Sequence, residues 1–188
     1  MLGGQPGTHV EIVGPWGSGK SLLAVQLAQA RGASLLIAAS SRADADAIYE
    51  DLCSFLPGEQ CLQFPAWEVL PTDSMEPADD IVAERMNALM RLSEALERST
   101  PVACVAPVQS LVQRVAPHSR IQEQSLTLRV GDEQEIDALL LKLTDMGYER
   151  ELMVERRGQM SLRGGIFDIF PIASELPLRI EFFGDEIE

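Results

Sequence analysis

Two lysines, two histidines, two tyrosines and two tryptophans are all that 188 residues contain, and each shortage closes off a class of protein. His9 and His118 have no metal-ligand or general-base company, so both are expected in structural or surface roles, not in histidine-based catalysis. Cys53, Cys61 and Cys104 are odd in number and lack C-x-x-C spacing, which argues against a disulfide or zinc framework and predicts reduced, buried thiols. No apolar run approaches the roughly 18 residues that span a membrane, and no charged-then-apolar leader follows Met1; a cytoplasmic location without membrane partners is expected. Acidic residues outnumber basic ones 29 to 15, a net charge of −14. That balance argues against a protein that grips nucleic acid over its whole surface, because phosphate neutralisation dominates such binding, but it leaves room for a local basic patch.

What is present starts with Gly14-Pro15-Trp16-Gly17-Ser18-Gly19-Lys20-Ser21, which reads G-x-x-x-x-G-K-S. His9 to Val13 alternates and is β-branched, which predicts a strand; Ser21 to Arg31 is rich in helix formers, with Leu23, Leu27 and Ala30 at helical spacing. A phosphate-binding loop is therefore expected where a strand passes into a helix. Gly14, Gly17, Ser18 and Gly19 would let backbone N–H groups approach phosphate, Lys20 would reach the outer phosphates, and Ser21 would ligate Mg²⁺, making ATP with Mg the expected cofactor. The plainer alternative is a glycine-rich turn that only caps a helix.

The expected fold class is α/β, a P-loop parallel-sheet lobe over residues 1–124 followed by a small α+β domain over 125–188. Ser34–Ala38, Cys61–Phe64 and Val102–Ala106 read as short buried strands, alternating with helices over Arg42–Leu56, Asp80–Arg98 and Val108–Val115. Pro65 to Pro77 is an irregular connection carrying Trp67. From Ser125 the texture changes. Ser125–Val130 reads as a strand, Gly131 to Glu135 as an N-cap, and Ile136, Leu139, Leu140 and Leu143 form one apolar helical face. Strands then follow one another at Tyr148–Val154, Gly158–Leu162, Gly165–Phe170 and Leu178–Phe183. In the last of these, Leu178, Ile180 and Phe182 share the core face, while Arg179, Glu181 and Phe183 share the other. Arginine beside an aromatic suits a protein interface, and a solvated face with one stray Phe is the plainer alternative. Arg163 precedes Gly164-Gly165, a pair that permits a bulge or a close backbone approach.

The segment SLRGGIFDIFPIASELPLRIEFFGDEIE, preceded by LRVGDEQEIDALLLKLTDMGYER, resembles the UvrA-binding domain shared by the excision-repair protein UvrB and the transcription-repair coupling factors. Upstream, FPAWEVLPTDSMEPADDIVAERMNAL and PVACVAPVQSLVQRVAP resemble the first module of the coupling factors, so the likeness covers nearly the whole chain. UvrB carries a tyrosine-rich hairpin; with only Tyr49 and Tyr148 here, the coupling factors are the better match. The resemblance implies an adaptor that recruits UvrA to stalled RNA polymerase in nucleotide excision repair, with Arg163, Arg179 and Phe183 as partner-contacting residues. RNA polymerase and DNA would be engaged only through parts of a longer chain, of which this would be the N-terminal part or a truncated product. The family's loop is often degraded, whereas Gly14 to Ser21 is intact. An ATPase also needs an acidic strand end for Mg²⁺, and none is evident: Val102–Ala106 runs into Pro107, and Asp168 lies in the second module. The chain alone is therefore not expected to be catalytic. The alternative is an autonomous P-loop ATPase, helicase-type or UvrB-like repair enzyme.

Overall fold

The computed structural model describes residues 9–69 and 77–188. The chain divides into two units, one taking residues up to 76 and 88–115, the other 77–87 and 116–188.

The first unit alternates helix and strand: α1 (Gly19–Arg31), β1 (Leu35–Ala39), α2 (Arg42–Phe55), β2 (Cys61–Gln63), the later turns of α3 (Asp79–Arg98), β3 (Ala103–Pro107) and α4 (Val108–Leu111). Helix α1 stops at Gly32, whose φ of 58° lets its N–H turn back to Gln29 O. Helix α2 starts where Ser41 Oγ accepts the Asp44 N–H at 3.1 Å. Among the described residues the sheet order is β1-β3-β2, all parallel, with Leu35 and Cys61 both in register with Ala103. The central position explains why β3 is apolar throughout and buried at all five residues. Val25, Ala45, Leu52 and Val105 pack on one face; Leu62, Phe64, Ala88 and Ala106 pack on the other. Burial pushes the Cys61 and Cys104 thiols up to about 11, whereas Cys53 lies exposed, against the expectation that all three are buried.

The second unit contains α5 (His118–Glu123), α6 (Ile136–Asp145) and a five-stranded sheet: β4 (Glu149–Arg150), β5 (Gln159–Arg163), β6 (Ile166–Ile169), β7 (Leu178–Phe183) and β8 (Glu186–Ile187), in that order. The β4–β5 pair is parallel and the rest antiparallel. Leu139, Leu140 and Leu143 of α6 join Met160, Phe167, Ile169 and Phe182 in a single core, as the helical spacing predicts. At Gly165 a Cβ would lie 2.5 Å from Phe182 O, because the two backbones meet there through a 2.7 Å hydrogen bond from Phe182 N–H to Gly165 O. Arg157 pairs with Asp80 at 2.7 Å and lies over the Phe170 ring.

Several expected elements differ. His9–Val13 forms no strand, and Val10, Ile12 and Val13 are exposed. Alternation specifies which side chains share a face but supplies no ladder partner, and among the described residues this segment pairs with none. Ser125–Val130 is also irregular; Leu126 and Leu128 cover the core from outside the sheet. Asp132 does not cap α6. Its side chain accepts the Arg129 N–H, its backbone pairs with Ile187, and the helix begins only at Ile136. Tyr148–Val154 contracts to the two residues of β4, and residues 70–76 of the Pro65–Pro77 connection lie outside the described residues. Among the described residues, no helix is long and apolar enough to cross a membrane.

Candidate functional site

The glycine loop leads directly into α1. Gly14 and Gly17 adopt φ of 112° and 52°, and the Gly19 N–H closes a turn on Trp16 O. Helix α2 faces this loop with the Asp51 carboxylate. Ser18 Oγ donates to Asp51 Oδ1 at 2.6 Å and Ser21 Oγ to Asp51 Oδ2 at 2.7 Å, with Ser21 almost completely buried. The Asp44 carboxyl is held below its usual range by the Ser40 and Ser41 hydroxyls, with a smaller contribution from the Lys20 charge. Asp51 thus sets a carboxylate beside the Ser21 hydroxyl, the group that the motif assigns to Mg²⁺. Asp51, thirty residues from Ser21, carried no sequence signal: it sits inside a helix, not at a strand end.

The carboxyl end of β3 opens instead into a cleft of about 780 Å³ lined by Arg42, Trp67, Pro107, Gln113 and Arg114. There the Gln113 amide bridges the Trp67 backbone, accepting its N–H at 2.8 Å and donating to its carbonyl at 3.3 Å.

The three residues expected at a partner interface come together on the second unit. Antiparallel register sets Ser161, Asp168 and Arg179 in one row across β5, β6 and β7, and Arg163, Ile166 and Glu181 in the next. Phe183, 77% exposed, extends the same face along β7. Asp168 joins the arginines: Oδ1 accepts from Arg179 Nε at 2.7 Å, and Oδ2 accepts from Arg179 Nη2 at 3.0 Å and Arg163 Nη2 at 2.8 Å. The Arg179 hydrogen bonds, then that from Arg163, hold the Asp168 carboxyl below the usual carboxylate range, and Asp168 in turn raises the Arg179 pKa. Sequence alone could place Arg179 and Phe183 on one face. Alternation gave no reason to join Arg163 to them; the resemblance did, and the β5–β6 register brings it there.

Residues 126–188 match the family described as the UvrB interaction domain. The chain is 36% identical over 188 residues, 98% of its length, to the transcription-repair-coupling factor of Mycobacterium bovis. It is 31% identical over 172 residues, 92% of its length, to that of Escherichia coli, and 33% identical over 186 residues, 98% of its length, to that of Staphylococcus aureus. It spans 15%, 14% and 15% of the length of these relatives, respectively.

Proposed function

The chain is a relative of the transcription-repair-coupling factors over nearly all its length and carries a UvrB interaction domain at 126–188, and from that premise we propose that it is an adaptor that recruits UvrA. The observation that supports this reading is the face shared by Arg163, Arg179 and Phe183 within the matched span. Guanidiniums offer planar, multidentate donors and an exposed phenyl ring offers apolar area, the residue types that concentrate binding energy at interfaces. In this reading the chain contributes the UvrA-docking step of transcription-coupled excision repair. RNA polymerase and DNA are engaged through sequence outside these 188 residues, in keeping with a net charge of −14 that disfavours a general grip on nucleic acid.

The docking is concerned with position, not with chemistry on a substrate. Burying Phe183 against UvrA removes apolar surface from water, while the arginines satisfy acceptors on the partner and so fix its orientation. Calorimetric titration of the chain into purified UvrA tests the reading. Saturable binding is expected, with a loss of roughly tenfold or more in the Arg179→Ala, Phe183→Ala double variant. A folded chain that does not bind UvrA would overturn it.

A second reading, nucleotide binding by a P-loop ATPase, is favoured by the intact Gly14–Ser21 motif alone. Steady-state ATP turnover abolished by Lys20→Ala would establish it over the adaptor without enzymatic activity.

A further inference from the structure

Asp168 occupies the middle of the arginine face, on the strand between those that carry Arg163 and Arg179. Strands lie about 4.8 Å apart, so two guanidiniums two strands apart come together only by reaching inward, and like charges oppose that unless an anion lies between them. Asp168 is that anion, and its side chain is only 14% exposed. A guanidinium has five N–H donors. Asp168 engages two of those on Arg179 and one on Arg163, while both arginine side chains remain 56% exposed. Donors are thus left over on each. The other carboxylate in these two rows, Glu181, is opposite Ile166 and not between the arginines.

We propose that Asp168 is the positioning residue of the docking face, holding Arg163 and Arg179 side by side before the partner arrives so that acceptors on the partner meet a preformed pair. This rests on the UvrA reading above. The physical gain is preorganisation: arginine side chains have many rotamers, and those already restrained lose less freedom on docking. The partner surface that fits is one presenting carboxylate or backbone carbonyl oxygens next to an apolar group that can take Phe183.

Four variants titrated into purified UvrA test the proposal, each checked for native melting by circular dichroism: Asp168→Ala, Asp168→Asn, the Arg163→Ala, Arg179→Ala pair, and that pair combined with Asp168→Ala. The paired arginine variant is expected to weaken binding about tenfold or more, and Asp168→Ala several-fold. Asp168→Asn should fall between wild type and Asp168→Ala, because an amide oxygen still accepts but carries no charge. Adding Asp168→Ala to the paired arginine variant should change affinity by less than about twofold, since a residue that acts through the arginines has nothing left to act on. Unchanged or tighter binding by Asp168→Ala and Asp168→Asn, or an equal further loss in the arginine-free background, would overturn the role of Asp168 and leave the UvrA reading intact. Wild-type affinity in the paired arginine variant would overturn the UvrA reading of this face itself.

Discussion

Both units use one aspartate to hold two polar side chains, with opposite electrostatic results. In the first, Asp51 accepts from the neutral hydroxyls of Ser18 and Ser21, so a full negative charge lies beside the Ser21 hydroxyl. In the second, Asp168 accepts from two cations, so the trio keeps one net positive charge and donors to spare. The same device leaves one trio negative and the other positive. A phosphate-loop motif is therefore a statement about backbone and spacing, and the charge facing it comes from elsewhere in the fold.

The comparison can be sharpened first through the two cores. Phe167→Ala empties the middle of the second sheet and should cost about 3–5 kcal/mol, whereas Leu52→Ala in the first unit should cost about 2–5 kcal/mol. Denaturant unfolding checks both. At temperatures where each variant remains largely folded, UvrA affinity should fall with Phe167→Ala and stay within about twofold for Leu52→Ala. Equal losses would mean that the docking face depends on both units.

Next come the glycines. Gly165→Ala puts a Cβ 2.5 Å from Phe182 O, so backbone must move; a loss of about 1–3 kcal/mol and weaker UvrA binding are expected. Gly14→Ala meets no atom within 4 Å and pays only for its positive φ, about 1 kcal/mol in thermal melts.

A smaller effect lies in the acid limb. The folded-state pKa of Asp168 is lowered, so its contribution to stability is fully present above the ordinary carboxylate pKa and is lost as pH falls through the lowered value. Melting followed from about pH 6 to pH 2 should show a shallower acid decline in Asp168→Asn than in wild type. An identical slope would detach Asp168 from the stability of this sheet. The smallest effect is in the glycine loop: nucleotide held there by Lys20 and Ser21 would show as a saturable rise in melting temperature with about 1 mM Mg·ATP, lost in Lys20→Ala, and an unchanged melting temperature would count against that second reading.

Much of the fold was legible because its signals are local. Helices α1, α2 and α3, the strands around Leu35, Cys61 and Ala103, and the apolar face of α6 follow from periodicity, capping residues and apolar runs, which depend on neighbours a few residues away. His9–Val13 and Ser125–Val130 show the limit of that reasoning: both alternate, yet a strand exists only when another strand takes its hydrogen bonds.

By itself, then, the sequence determined the resemblance to the coupling factors, most of the helices and strands of both units, and the residue types offered to a partner. Tertiary structure decided which of them meet. Asp51 reaches Ser21 across thirty residues, and Asp168 gathers Arg163 and Arg179 from two neighbouring strands. Spacing along a chain cannot specify such encounters, because register and helix packing set distances between residues that are remote in sequence, and over a few ångströms those distances determine which charge a carboxylate faces.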